Sequence, residues 1–187
     1  MATELWQGYE DDGEPITMKG LTMRRAANGA LHGAAHLWIW RLKDGEQQIL
    51  LQKRAPGSKT WPDHYDVSAA GHQNFNEAPL TAALRETQEE LGITVDPDEV
   101  SLLFVHRQEL RYEPEKITEN EIQWVYGFDV TATPHFTLEQ SEVKEILWLN
   151  LDELSQLAAG HIAGMRIVPH DRVYFAELSR ELLEQAP

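Results

Sequence analysis

One stretch, residues 76–93, constrains the fold more than any other part of the chain, because helical periodicity runs between two helix-end signals. Asn76 is a favourable N-cap residue, and Pro79 falls in the first turn, where its missing N–H costs nothing. Five residues then recur at helical spacing and predict one buried stripe: Leu80, Ala83, Leu84, Thr87 and Leu91. Gly92 can adopt the left-handed conformation that ends a helix. The pattern predicts an amphipathic helix that packs against a core.

Three carboxylates share one flank of this predicted helix. Glu86, Glu89 and Glu90 fall at i, i+3 and i+4, away from most of the apolar stripe. Like charges at this spacing repel each other, and no lysine is interleaved to relieve the repulsion. A hard divalent cation such as Mg²⁺ would relieve it, since Mg²⁺ prefers oxygen ligands and keeps waters that a phosphate can replace. The simpler interpretation is a solvated acidic face, and the spacing of the neighbouring residues argues against it.

The same residues complete a longer motif, G-x5-E-x7-R-E-U-x-E-E-x-G-U, in which U is a bulky aliphatic residue. Every fixed position of the motif is matched: Gly71, Glu77, Arg85, Glu86, Glu89, Glu90 and Gly92. Thr87 stands at one aliphatic position, where we expect its hydroxyl to bond the Ala83 carbonyl without affecting the chemistry. The stretch resembles the signature of the Nudix hydrolases, which cleave nucleoside diphosphates linked to another moiety.

This resemblance implies roles for residues inside and outside the motif. Mg²⁺, with Mn²⁺ as an alternative, would be held by the Gly71 carbonyl and by Glu86, Glu89 and Glu90. Glu86 is a ligand or the general base, and a later loop supplies two further candidates for these roles, Glu119 and Glu121. Phosphate-binding candidates are Lys53, Arg54 and His72, and the motif residues expected to be structural are Glu77, Arg85 and Gly92. Arg85 is expected to orient a carboxylate such as Glu77. An ordinary acidic loop and a snorkelling strand end remain the alternatives for Glu119 and Glu121 and for Lys53 and Arg54.

Further segments resemble the branch of this family that contains isopentenyl-diphosphate isomerase and related hydrolases. They are Leu31-His32, Gln52-Lys53-Arg54-Ala55, Lys59-Thr60-Trp61-Pro62, Ala70-Gly71-His72 and Glu119-Asn120-Glu121. The isomerase uses a cysteine just before the Gly-His pair, whereas this chain has Ala70 there, and an alanine methyl cannot transfer a proton. His32 matches one of two upstream histidine ligands of the isomerase, and Arg25 replaces the other. The resemblance therefore favours a hydrolase, with the isomerase and a non-catalytic Nudix-fold binding module as alternatives.

The order of strands and helices predicts an α/β (α+β) fold, which the resemblance specifies as a Nudix α/β/α sandwich with a mixed sheet between helices. Residues 1–30 are predicted to form an N-terminal β-hairpin and linker packed on a Nudix domain of residues 31–187, as a single domain overall. The hairpin is expected to pair Leu5–Tyr9 with Ile16–Met18. Strands are expected at 35–42, 48–53, 65–70, 101–109, 122–130 and 146–149, an acidic loop at 111–121, and helices at 151–159 and 171–185. The expected core includes Trp38, Trp40, Ala176, Leu178, Leu182 and Leu183.

Charge and composition narrow the expected partners. The net charge of −15 should repel nucleic acid, anionic lipid and also a phosphorylated substrate unless metal supplies positive charge, although acidity can also serve solubility alone. The absence of cysteine fits a reducing cytoplasm, and neither a signal peptide nor a membrane span is evident. We expect a cytoplasmic protein that acts on a small phosphorylated molecule, with no nucleic-acid polymer or membrane as partner. The resemblance adds a homodimer as one oligomeric state, which the residues leave open.

Overall fold

The computed structural model describes residues 5–130 and 132–185. The first four residues of the predicted segment 1–30 therefore lie outside the described residues, as do residues 131, 186 and 187 of the predicted segment 31–187. In chain order the strands are β1 (Leu5–Trp6), β2 (Leu21–Thr22), β3 (His32–Lys43), β4 (Glu46–Arg54), β5 (Tyr65–Asp66), β6 (Ala69–His72), β7 (Val100–Tyr112), β8 (Ile117–Asp129) and β9 (Val143–Asn150). The α-helices are α1 (Met23–Ala26), α2 (Pro79–Leu91), α3 (Leu151–Ala158) and α4 (Arg172–Glu184).

Within these ranges the main sheet has seven strands of mixed direction. Its order is β5-β4-β3-β8-β7, with β6 paired to β3 and β9 paired to β4. Strands β3 and β8 are parallel, whereas the other pairs are antiparallel. This arrangement confirms the predicted mixed sheet. The predicted strand 65–70 is divided into β5 and β6, because β5 pairs with β4 whereas β6 pairs with β3.

Strand β3 is buried from His32 to Trp40 and separates two halves of the core. Its successive side chains point to opposite faces of the sheet. On one face Ala35, Leu37 and Ile39 pack in a cluster with Ala82, Ala83 and Leu91 of α2. On the other face Trp38 and Trp40 pack in a cluster with Leu154 and Leu157 of α3 and with Tyr174, Leu178 and Leu182 of α4. Helices thus cover both faces, which confirms the sandwich, and the two tryptophans are core residues as predicted.

The N-cap of helix α2 lies two residues later than predicted. Its N-cap is Ala78, and no side chain caps this end, so the prediction of Asn76 as N-cap is wrong. Pro79 is the first helical residue and requires an extended residue before it, which is the conformation of Ala78 (φ −72°, ψ 143°). Asn76 instead turns the chain in the left-handed region (φ 64°). Gly92 ends the helix with φ 69°.

The buried face of α2 differs in part from the predicted stripe. Its buried residues are Ala82, Ala83, Thr87, Glu90 and Leu91. Leu80 and Leu84 are only half-buried. The Thr87 hydroxyl donates to the Ala83 carbonyl at 2.7 Å, which confirms that expectation. A glutamate on the buried face indicates that the helix packs beside a polar site.

The N-terminal hairpin forms only in part as predicted. Near its turn the Ile16 N–H donates to the Gly8 carbonyl at 2.9 Å, as expected, but β1 pairs with Leu21–Thr22 rather than with Ile16–Met18. Leu21 is buried, whereas Met18 is 91% exposed, so burial of an apolar side chain selects the later segment. The expected linker after it contains the short helix α1, whose Ala26 is buried.

Two predictions for the second half of the chain are wrong. The expected loop 111–121 is a tight turn at 113–116 between two long antiparallel strands, so Glu119 and Glu121 lie on β8. The ends of these strands consist of polar residues and therefore lack the apolar alternation from which strands are predicted. Their backbone hydrogen bonds to the partner strand form without such a pattern. In α4, Ala176 and Leu183 are exposed, whereas Leu178 and Leu182 are buried as predicted. None of the described helices is long and apolar enough to cross a membrane.

Candidate active site

The contact between α2 and β6 brings the motif glutamates to Gly71. A Cβ atom at Gly71 would overlap the Glu86 carboxyl group, so only glycine allows this approach. Arg85 donates from Nη1 to Glu86 Oε1 at 2.6 Å and to Glu89 Oε2 at 3.1 Å. The Glu89 side chain is 57% exposed, whereas that of Glu86 is 13% exposed. The helix thus places the enclosed carboxylate of Glu86 and the exposed carboxylate of Glu89 beside Gly71, where the backbone carries no side chain.

Arg85 also fixes the start of the motif. Its Nε and Nη2 atoms donate to the two oxygens of Glu77, both at 3.0 Å. Nη2 donates in addition to the carbonyl of His72 at 3.0 Å. A fork of this kind holds a carboxylate in one orientation. Arg85 therefore ties the segment after β6 to α2.

Glu90 is the most enclosed carboxylate of α2. Its Oε2 atom accepts hydrogen bonds from the Ala70 N–H and from Gln52 Nε2, each at 3.0 Å. Burial nevertheless raises the pKa of Glu90 to about 8. Burial also raises the pKa of Glu86 to about 7, despite the neighbouring Arg85. In both cases burial outweighs the nearby positive charge, which comes from Arg85 at Glu86 and from Arg54 at Glu90, and a bound cation would further favour the ionised form.

A second cluster of ligand-type side chains joins β3, β6 and β8. Glu121 Oε1 lies 3.7 Å from His32 Nε2 and 3.6 Å from His72 Nε2. One ligand atom from each of these three residues lies within 4.8 Å of the others. His32 Nδ1 lies 2.8 Å from the Ala30 carbonyl and must donate to it, so the neutral ring keeps a lone pair on Nε2. That buried Nε2 has no hydrogen-bond partner among the described residues, and burial lowers the pKa of His32.

Glu119 and Glu121 have opposite electrostatic surroundings. Burial and the charge of Glu121 raise the pKa of Glu119 to about 7. Burial acts on Glu121 as well, but the neighbouring His72 and His32 outweigh it and hold the pKa of Glu121 well below its usual range. Glu121 therefore remains an anion, whereas Glu119 can exchange a proton near neutral pH.

The two clusters border one cavity of about 780 Å³. Among the residues that line it are Trp6, Arg54, His32, His72, Glu90 and Glu119. A smaller cavity of about 90 Å³ is lined by Gly71 and Glu121 and shares Arg54, His72 and Glu119 with the larger one. Six of the predicted site residues therefore line these two cavities, whereas Glu86 and Glu89 line neither.

Lys53 is the predicted phosphate-binding residue that the structure does not bring to this space. Its Nζ atom pairs with Glu145 Oε1 at 3.2 Å, and it lines neither cavity. The pairing of β4 with β9 shifts between Lys53 and Arg54. Such a bulge redirects the side chains around it. Lys53 therefore packs beside the exposed Glu145, while Arg54 reaches the cavity.

Trp6 is a cavity residue that sequence reasoning did not find. Its indole ring stacks on the His72 ring, with centroids 3.6 Å apart and planes inclined by 7°. Strand β1 reaches this place because Trp6 pairs with Asn74, while the Gln7 N–H donates to the Gln73 carbonyl at 2.8 Å. No sequence signal near Trp6 indicates a contact with a residue so far along the chain.

Comparisons with known proteins identify the family and the fold of the chain. The sequence model of the NUDIX domain family matches residues 33–170. Nudix hydrolase 3 of Arabidopsis thaliana is 33% identical over 129 residues, which are 67% of this chain but only 16% of that protein. An isopentenyl-diphosphate Delta-isomerase of Clavibacter sepedonicus is 33% identical over 155 residues, covering 81% of this chain and 76% of that protein. The crystal structure of RenU, a Nudix hydrolase from M. smegmatis, superposes with a TM-score of 0.60 at 18% identity over 97% of this chain and 96% of its own, which shows a common fold.

Proposed function

The chain belongs to the Nudix domain family, and from this premise we propose that it is a metal-dependent pyrophosphohydrolase. Its substrate would be a small molecule in which a nucleoside diphosphate is linked to another moiety, and the bond cleaved would be the phosphoanhydride. The observation that carries this proposal is a pair of enclosed carboxyl groups at the junction of α2 with Gly71: Glu90, which is buried, and Glu86, whose side chain is 13% exposed. Enclosing two neighbouring carboxyl groups costs free energy, which a bound cation would offset.

The donor atoms fit a divalent cation. Glu86, Glu89 and Glu90 offer carboxylate oxygens, which suit Mg²⁺, and the backbone of Gly71 lies against the Glu86 carboxyl group. His32, His72 and Glu121 offer mixed nitrogen and oxygen donors, which suit Mn²⁺ better than Mg²⁺. A bound cation would neutralise the charge of the diphosphate and lower the pKa of a water molecule.

The protein side chains would bind the diphosphate and handle protons. Arg54 provides positive charge at the cavity, in a chain whose net charge is −15. Arg85 keeps Glu77 and Glu86 in fixed orientations, so the glutamates need not reorganise when substrate binds. Glu119 would accept a proton from the attacking water, because its pKa is raised to about 7 by burial and by Glu121.

Replacement of Glu90 tests the proposal. The parent protein and Glu90→Gln would be incubated with Mg²⁺ and a panel of nucleotide sugars, dinucleotides, dinucleoside polyphosphates and nucleoside triphosphates, with products identified by mass spectrometry. We expect cleavage at one phosphoanhydride by the parent and a loss of at least about 100-fold in Glu90→Gln. The exposed Glu99 supplies a matched control, and Glu99→Gln should cleave like the parent. A Glu90→Gln protein as active as the parent would contradict the proposal.

Isomerisation of isopentenyl diphosphate is the second candidate, because the Clavibacter relative bears that name and the cluster of His32, His72 and Glu121 is present. Ala70 argues against it, since its methyl group stands where the resemblance places the proton-transferring cysteine. Isopentenyl diphosphate belongs in the same panel. Its conversion to dimethylallyl diphosphate, an isomer of equal mass that proton NMR distinguishes, would favour the isomerase. Tight binding of one panel member without any product would favour the binding module.

A further inference from the structure

Arg54 is held on three sides at the end of β4. Its Nε atom donates to the Thr60 carbonyl at 3.1 Å, and Nη2 donates to the Thr60 hydroxyl at 3.3 Å. Nη1 donates to Asp66 Oδ2 at 3.2 Å. A guanidinium has more N–H groups than these contacts use, and each terminal nitrogen keeps one of them for another acceptor. Two N–H groups on neighbouring nitrogens form the fork that matches two oxygens of one phosphate group.

Asp66 is itself held from behind by His170. Asp66 Oδ1 lies 3.2 Å from His170 Nε2, and the two side chains are only 7% and 4% exposed. The His170 ring stacks on Tyr174 of α4, with centroids 4.5 Å apart. Burial would raise the pKa of Asp66, but the hydrogen bond from His170 and the charges of His170 and Arg54 lower it to about 2. A chain of contacts thus runs from the core of the protein through His170 and Asp66 to Arg54 at the cavity.

Stability alone is a poor explanation for this chain of contacts. Burying an ion pair costs desolvation free energy that its attraction often only repays, so well-packed apolar residues would serve the core as well or better. Asp66 and His170 lie outside the sequence motif, and they line the smaller cavity together with Arg54. Their common feature is that they fix the position of the one guanidinium that touches both cavities among the described residues.

We propose that Asp66 and His170 are positioning residues that hold the Arg54 guanidinium so that its two remaining N–H groups bind a phosphate group of the substrate. The proposal rests on the proposed function in taking a diphosphate as the ligand of the cavity. It assigns a role to two residues that lie 104 positions apart in the chain.

The experiment measures binding of inorganic pyrophosphate with Mg²⁺ by isothermal titration calorimetry, which does not require turnover. Four full-length variants would be compared with the parent: Asp66→Asn, Arg54→Ala, the double variant, and Asp63→Asn as a control. Asp63→Asn removes the nearby exposed pair with Lys144 and keeps a side chain that tolerates the left-handed conformation found there. We expect Asp66→Asn to bind about tenfold more weakly, Arg54→Ala at least as weakly, and the control like the parent. Because Asp66 acts through Arg54, the double variant should bind no more weakly than Arg54→Ala.

Unchanged pyrophosphate affinity in Asp66→Asn would overturn the proposal. It would also be overturned if the double variant bound pyrophosphate more weakly than Arg54→Ala by the full factor seen for Asp66→Asn. Circular dichroism checks the fold of each variant. If Asp66→Asn does not fold, His170→Gln takes its place. We expect His170→Gln to lower the pyrophosphate affinity about threefold in the parent and to leave it unchanged in the Arg54→Ala background. Hydrolysis by the parent is scored separately with Glu90→Gln, so failure of the proposed function and failure of the positioning role give different results.

Discussion

The buried carboxyl group of Glu90 should make the metal-free protein less stable as the pH rises. The pKa of Glu90 is 4.5 without the fold and is raised by burial to about 8 within it. Between these two pKa values the folded state binds more protons than the unfolded state, so the free energy of unfolding falls as the pH rises. The decline that one such carboxyl group causes from about pH 6.5 to about pH 8.5 is about 2 kcal/mol.

Two other carboxyl groups add to this decline, mainly in the lower half of the interval. Glu86 and Glu119 have pKa values raised to about 7, so they act in the same direction as Glu90 and together add about 1.5 kcal/mol, most of it below about pH 7.5. Burial lowers the pKa of His36 to about 4, which makes stability rise with pH, but only below the usual histidine value of 6.5. The lowered pKa of Asp66 has the same direction and acts below 3.8. Above about pH 7.5 the remaining decline is therefore due mainly to Glu90.

Thermal unfolding in EDTA at several pH values from about 6.5 to about 8.5 would measure this decline. For a domain of this length, the contribution of about 2 kcal/mol from Glu90 corresponds to about 4–8 °C of the fall in Tm, which is the part that Glu90→Gln should remove. Glu90→Gln should show a flatter profile, while the control Glu99→Gln should follow the parent. Added Mg²⁺ should raise the Tm most at the highest pH, because ionised carboxylates bind it best. A Glu90→Gln profile as steep as that of the parent would refute the reasoning.

Three further variants test individual contacts of the site. Gly71→Ala should lower hydrolysis at least about 100-fold with an unchanged circular dichroism spectrum, because the new methyl group displaces the Glu86 carboxyl group. An active variant would show that hydrolysis does not require the close contact between Gly71 and Glu86. Glu77→Gln should lower the free energy of unfolding in urea by about 2 kcal/mol, because Arg85 loses its forked partner; an unchanged midpoint would contradict this. Trp6→Leu should weaken Mn²⁺ binding about fivefold, because the His72 ring is no longer held by the stacked indole, and Trp6→Phe should restore the binding. Electron paramagnetic resonance would measure the affinity. Equal Mn²⁺ affinity in Trp6→Leu and the parent would show that the stack does not support metal binding.

The part of the site on α2 was predictable because it is local. Glu86, Glu89 and Glu90 are neighbours on any helix, so their proximity follows from spacing alone. The same holds for the hydroxyl of Thr87, which bonds a carbonyl one turn earlier. Even here the sequence did not show how deeply Glu90 is buried, since that depends on Gln52 and on the backbone of β6.

The remaining part of the site depends on the register of the sheet, which the sequence does not display. His32 meets Glu121 because β3 and β8 are parallel and these two residues are paired. A shift of one residue would turn Glu121 to the opposite face and remove it from the cluster. Residues 111–121 carry no apolar alternation, so the sequence predicts a loop there. In a loop the orientations of the Glu119 and Glu121 side chains would be undefined. Their placement on a rigid strand is what turns two acidic residues at i, i+2 spacing into one face of the cavity.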